Sequence, residues 1–222
     1  PYQQALVDQI RLQYQLGHRK VLAVLPTGAG KTVCFSHIAQ AAAKKGNRIC
    51  ILVHRAELLD QASRSLSSMS VQHGLIQANR AMDLSAAVQV ASVQTLARRL
   101  HKLPRDFFQL VIIDEAHHTN STSIKKIMAN CMHTGWRFGL TGTLTKRGSA
   151  DHLTIQQYLG PVLVEISPDF LFRNNYATPV AIKIVILDWL SSEYKDKLAE
   201  LKSSSEKMEG NDLYNLERKL VI

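Results

Sequence analysis

Pro26-Thr27-Gly28-Ala29-Gly30-Lys31-Thr32 gathers two glycines, a lysine and a hydroxyl into one short stretch, a set suited to holding a chain of phosphates. Val21 to Leu25 reads as an apolar strand running into it, and Lys31 to Lys45 as a helix leaving it. Gly28 and Gly30 allow backbone N–H groups to turn inward and approach phosphate oxygens with no Cβ in the way. The helix starting at Lys31 points its positive end at the same anion. Lys31 would reach the β- and γ-phosphates of a nucleotide, and the Thr32 hydroxyl would ligate magnesium. A generic phosphate loop begins with Gly where this chain has Leu25. A glycine turn that binds nothing is the alternative, and the flanking strand and helix weigh against it.

A second stretch complements the first. Leu110 to Ile113 is an apolar strand ending in Asp114-Glu115-Ala116-His117. Parallel-sheet folds carry their chemistry at the carboxyl ends of strands, which would bring both acids beside the phosphate loop. A hard cation such as magnesium suits Asp114, and Glu115 could orient and deprotonate an attacking water. Alone, the acidic pair could equally cap the helix that follows. The two stretches together make a nucleotide-and-metal site the stronger reading.

The elements that must position these groups alternate along the chain. Further buried strands are expected at Ile49 to Val53, Val88 to Ala91 and Arg137 to Thr141, with weaker ones at Gly74 to Gln77 and Val162 to Ile166. Helices are expected at Glu57 to Leu66, Val93 to His101 and Ser121 to Cys131, and the opening segment with Leu6, Ile10 and Leu16 reads as amphipathic. Val/Ile/Leu-rich runs alternating with helices predict a parallel sheet sandwiched by helices. After Ile166 the character changes through Asn174 to Pro179, a strand Val180 to Leu187 and a polar tail. These features predict one domain over 1–166, with 167–222 forming a linker and the start of an incomplete second domain.

Composition bounds the function classes. Of 222 residues, 45% are hydrophobic, enough for an ordinary core. No apolar run approaches the roughly 18 residues that cross a bilayer. Twenty-seven Lys and Arg against 18 Asp and Glu give a net charge of +9, which favours polyanionic partners through counterion release. Cys34, Cys50 and Cys131 sit far apart among apolar neighbours. Reduced core thiols in a cytoplasmic protein fit that pattern better than disulfides or a zinc site. Lacking an initiating Met, the chain reads as a piece of something longer.

These motifs resemble those of superfamily 2 DEAH-type helicases. Pro26 to Thr32 is similar to motif I, Asp114 to His117 to the DEAH form of motif II, and Leu140-Thr141-Gly142-Thr143 to motif III. Pro1-Tyr2-Gln3 resembles the adenine-reading Q-motif, with Gln3 as reader. His54 to Gln61 resembles motif Ia, and Ala91 to Leu96 the Thr/Ser-x-Gln-Thr element that touches the nucleic-acid backbone. Motif III and the connector after it look closest to phage UvsW-like helicases, with RadD-like and XPB-like proteins near alternatives. The resemblance implies a RecA-like P-loop domain that binds ATP and magnesium through Thr27, Gly28, Ala29, Gly30, Lys31, Thr32 and Asp114. It also implies a role for His117 in linking the phosphate site to motif III, coupling through Thr141, Gly142 and Thr143, and backbone contacts from His54, Arg55, Gln94 and Thr95.

Plainer readings stand beside several of these. His117 and His118 could be polar residues at a helix start, and Thr141 to Thr143 a simple turn. Arg98, Arg99, His101 and Lys102 could extend a nucleic-acid track or merely solvate a helix end. Trp136 and Trp189 read as packing residues.

The family implies a second RecA-like domain that supplies an arginine finger. No Gln-x-x-Gly-Arg occurs in this chain, so slow hydrolysis by the chain alone is expected, roughly 10³-fold below that of a finger-bearing motor. The expected partner is nucleic acid, DNA in preference to RNA, in the cytoplasm of a bacterium or phage-infected cell. Competing functions are the motor of a restriction or remodelling complex that moves on duplex without unwinding it, and a nucleotide-dependent binding module. A P-loop kinase or transport ATPase is disfavoured, since the chain has neither an arginine-bearing lid nor a Leu-Ser-Gly-Gly-Gln signature.

Overall fold

The computed structural model describes residues 2–26, 28–131, 135–143 and 148–177. Seven strands form one all-parallel sheet: β1 (Lys20–Val24), β2 (Ile49–Val53), β3 (His73–Ile76), β4 (Val88–Ser92), β5 (Leu110–Ile113), β6 (Trp136–Thr141) and β7 (Val162–Glu165). Their order across the sheet is β3-β4-β2-β5-β6-β1-β7. The helices are α1 (Tyr2–Gln15), α2 (Lys31–Lys44), α3 (Ala56–Ser68), α4 (Val93–Arg99), α5 (Thr122–Asn130), α6 (Ala150–Leu159) and α7 (Pro168–Arg173).

Side-chain alternation splits the core into two layers although the central strands β2 and β5 are apolar along their whole length. Val21, Ala23, Ile49, Ile51 and Ile112 pack with Leu6, Ile10, Phe35, Leu59 and Leu66, from α1, α2 and α3. Leu22, Cys50, Leu52, Val111 and Ile113 pack on the opposite face with Leu96, Ile124, Ile127, Ile155 and Leu159, from α4, α5 and α6. Coverage on both faces is why the strands read as continuous runs, as parallel sheets require. The fold is thus α/β and RecA-like, and each of the seven strands expected up to Ile166 forms within a residue of its expected bounds.

Two helices have no counterpart in the sequence reading. α6 begins behind Ser149, whose side chain accepts from the His152 amide. α7 begins behind Ser167, which accepts from the Phe170 amide and is followed by Pro168 in the first turn. Both carry recognisable N-cap chemistry, but weak apolar periodicity hid them.

Helix α7 packs on the same core, past the division expected near residue 167. Contacts divide the chain between Pro179 and Val180, beyond the division drawn near residue 167. Leu171 is buried in the α1–α2 core layer, and Tyr176 packs on Tyr2 with ring centroids 4.4 Å apart. The composition shift after Ile166 marks the last strand, and one amphipathic turn beyond it still folds onto the same core. The expected strand Val180 to Leu187 and Trp189 lie outside the described residues.

Arg137 and Trp136 brace the amino end of the sheet. Arg137 is buried and donates to the carbonyls of Cys131 at 2.9 Å and Tyr158 at 3.3 Å. Trp136 packs edge-on against Tyr14 at 5.2 Å, a packing role. Cys34, Cys50 and Cys131 are all buried, and burial pushes the Cys34 thiol up to about 11.

Candidate nucleotide site and the adjoining strand ends

Every motif singled out above comes from the carboxyl end of a strand or from the first turn of α1. Strand β1 delivers the glycine loop. Gly28 and Gly30 take φ of 84° and 76°, in the left-handed region that glycine alone enters without strain. Gly30 is the N-cap of α2 and no side chain caps that helix, so its first-turn amides remain available to an anion. Two α1 residues hold the loop from outside. The Tyr2 hydroxyl donates to the Ala29 carbonyl at 2.9 Å, and a Cβ at Gly30 would come within 2.5 Å of the Gln3 amide nitrogen. Gln3 therefore lies directly against the loop. Thr27 lies outside the described residues.

Strand β5 brings the acids to the same place, although β6 separates it from β1. Lys31 Nζ lies 3.2 Å from Glu115 Oε1. The phosphate loop and the acidic strand end thus converge. Glu115 has a φ of 52°, an unusual conformation for a residue with a Cβ, costing about 1 kcal/mol or more, of the kind that concentrates at functional sites. This turn lifts its carboxylate towards Lys31. Its backbone N–H donates to Asp114 Oδ1 at 3.0 Å.

Asp114 is 6% exposed. Burial pushes its carboxyl up to about 6 and the neighbouring Glu115 adds to the rise, while the Glu115 amide and Lys31 oppose it. A buried carboxylate that is costly to ionise beside an open phosphate cradle fits a divalent cation, whose charge would offset that cost. The shift has a consequence for stability. An unfolded Asp ionises near 3.8, so between that pH and about 6 the unfolded chain loses its proton first, and the fold weakens as pH rises. Asp114→Asn is expected to raise stability by about 2 kcal/mol at pH 7.5 and to change little at pH 4. Thermal melts at the two pH values check this, and equal melting of both proteins at pH 7.5 would contradict it.

His117 links β5 to β6. Its Nδ1 lies 3.2 Å from Thr141 Oγ1 and 3.4 Å from Glu115 Oε2. The Thr141 hydroxyl donates to the Thr143 carbonyl at 2.7 Å, so it accepts from His117, which assigns the proton of a neutral ring to Nδ1. Burial, with His118 adding to it, pulls the His117 pKa below its ordinary value, against an opposing push from Glu115. Thr141 and Thr143 close a small turn around Gly142, since the Thr143 amide donates back to Thr141 Oγ1 at 3.3 Å.

The nucleic-acid candidates sit one and two strands further along the same edge. Strands β2 and β4 pair in register, Val53 opposite Ser92, so His54 and Arg55 emerge beside Gln94 and Thr95. Arg55 and Gln94 are exposed, and Ser92 Oγ donates to Gln94 Oε1 at 3.1 Å. Thr95 is 8% exposed, turned inward with Val93 and Leu96 on the buried side of α4. His54 is also turned inward. Its ring stands 4.6 Å from that of His118, and its Nε2 is buried with no hydrogen-bond partner among the described residues. Burial first, then His118 and His117, lower its pKa to about 4. In the basic helix end, Arg99 is engaged structurally, donating to the carbonyls of Arg80 and Ala78 at 2.8 Å each.

Residues 1–146 match the family described as the res subunit of type III restriction enzymes. The chain belongs to this family. IRC3 of Saccharomyces cerevisiae, named as an ATP-dependent helicase, is 36% identical over 137 residues, which cover 57% of this chain and 20% of that protein. The chain therefore spans about a fifth of that relative's length.

Among solved structures, the UvsW helicase of bacteriophage T4 superposes with a TM-score of 0.58 at 24% identity, covering 75% of this chain and 59% of that one. The SWI2/SNF2 ATPase core of Sulfolobus solfataricus, solved in complex with dsDNA, gives 0.61 at 20% identity over 72% and 35%. Both likenesses concern the fold alone. Among the described residues no helix is long and apolar enough to cross a membrane.

Tyr2 is a functional candidate that the sequence does not single out, whereas His118, weighed above as a polar residue at a helix start, gains its contact only from the fold. The aromatic ring just before Gln3 was a signal for the first. The second stands next to His117 in Asp114-Glu115-Ala116-His117-His118, and only the position of β2 gives it a partner.

Proposed function

We propose that this chain is the ATP-binding half of a DNA motor, hydrolysing ATP with magnesium to translocate on or unwind nucleic acid. The observation that carries this reading is the 3.2 Å approach of Lys31 to Glu115, which gathers a phosphate-binding loop and an acidic strand end at one point. Gln3 reads the base, and the amides and side chains of Thr27 through Thr32 hold the phosphates. Thr32 and Asp114 would hold magnesium, which supplies neutralisation of charge on the phosphate oxygens. Once phosphates engage Lys31, Glu115 is released from its ion pair and can take a proton from water. His117, a neutral donor, keeps Glu115 in register with Thr141, and the Thr141-Gly142-Thr143 turn passes nucleotide state towards a second RecA-like domain.

Arg55 and Gln94, with His54 and Thr95 behind them, would touch backbone phosphates, which implies little sequence preference. The dsDNA-bound relative and the net charge of +9 support DNA as the track. The match to a restriction-enzyme subunit favours a second reading, translocation on duplex without strand separation. Both use the same site, most simply in the cytoplasm.

The test titrates the chain with labelled single-stranded DNA, duplex DNA and RNA, with and without a non-hydrolysable ATP analogue and magnesium. Salt-sensitive DNA binding is expected, together with analogue binding that needs magnesium. A chain that binds the analogue and ignores all three nucleic acids would point to a phosphotransferase of another kind.

A further inference from the structure

We propose that the ring contact between His54 and His118 couples nucleic-acid binding to the nucleotide site. This rests on the motor reading above and adds a route distinct from the Thr141 turn. Strands β2 and β5 are neighbours, Leu52 opposite Ile113, so the segments that follow them face each other across a single strand spacing. His54 follows the first and the short 3-10 turn Ala116–His118 follows the second. From there the contacts are continuous. His54 meets His118 at 4.6 Å and His118 meets His117 at 4.1 Å. His117 reaches Glu115 Oε2 at 3.4 Å, and Glu115 Oε1 reaches Lys31 at 3.2 Å.

A chain of contacts transmits nothing unless one member has two arrangements that the ligands distinguish. His54 meets that requirement. With the ring inward, Nε2 is buried without a hydrogen-bond partner among the described residues, and burial of an unsatisfied polar atom is unfavourable. With the ring turned outward beside exposed Arg55, Nε2–H could donate to a backbone phosphate, and the ring would leave His118. A nucleic-acid backbone therefore binds the outward arrangement better. That withdrawal removes one of the two rings that flank His118, freeing the turn that carries His117. Because the coupling is a free energy between two sites, nucleotide must alter nucleic-acid affinity by the same factor. His118 acts here as a positioning residue, touching neither ligand.

The experiment measures the affinity of the chain for a fluorescent non-hydrolysable ATP analogue with magnesium, with and without saturating oligodeoxythymidine. In the unsubstituted chain the oligonucleotide is expected to tighten analogue binding by about tenfold. In His118→Ala that shift is expected to fall to about twofold or less, while the affinity for analogue alone stays as it was and oligonucleotide alone binds at least as tightly as before, because His54 no longer has a ring to pack on. His118 is exposed, so the fold tolerates the change. His118→Phe, which keeps a ring but no polar atom, is expected to restore the shift. A full shift in His118→Ala, no shift in the unsubstituted chain, or failure of His118→Phe to restore it would each overturn the proposal. Failure of the motor reading looks different, since the chain would then not bind the analogue or not bind DNA when each is offered alone.

Discussion

Glu115→Gln is expected to leave ATP bound within a few-fold of its usual affinity and to slow single-turnover hydrolysis by about 10² to 10⁴-fold. The substitution is nearly isosteric, so the left-handed turn at residue 115 and its amide bond to Asp114 at 3.0 Å should persist. It removes the ability of this side chain to accept a proton from water. It also weakens the ion pair with Lys31, which can only help Lys31 reach phosphate. Binding and turnover therefore separate. Unchanged turnover would mean that the base lies elsewhere.

Lys31→Ala is expected to act the other way. It should cost about 100-fold in ATP affinity, the loss of a charge-assisted contact worth about 1.5–3 kcal/mol, and should affect AMP little, because AMP carries no β- or γ-phosphate. Lys31 is the first residue of α2 and its head group lies in the mouth of the site beside Glu115, so the core layer under α2 is untouched. Titration with the three adenosine nucleotides checks this. Equal losses for ATP and AMP would indicate a distorted loop instead of a missing phosphate contact.

The two predictions rest on parts of the site that were unequally legible. The glycine loop is written in local terms, because a turn at φ of 84° and 76° demands glycine wherever it occurs. The acids at Asp114 and Glu115 follow a run of apolar residues, and the strand rule places them correctly even though β6 lies between β5 and β1. What could not be read was set by contacts distant in sequence. Nothing local to Glu115 requires its positive φ. Nothing local to His54 requires its ring contact with His118, which a neighbouring strand delivers. Thr95 was expected at the nucleic-acid edge with Gln94, but the helix that starts at Val93 rotates it into the core. The capping serines of α6 and α7 are visible in the sequence, but weak apolar periodicity in the segments they open outweighs them.

The convergence of loop and strand end is most directly tested by the magnesium dependence of ATP affinity. The ratio of affinities with magnesium and with a chelator is to be measured in the unsubstituted chain and in Asp114→Asn. Tightening by magnesium in the first, and its near disappearance in the second with chelator-state affinity retained, is the predicted result. An identical ratio in the two proteins would mean that Asp114 and the Lys31 loop do not act on one metal–triphosphate complex.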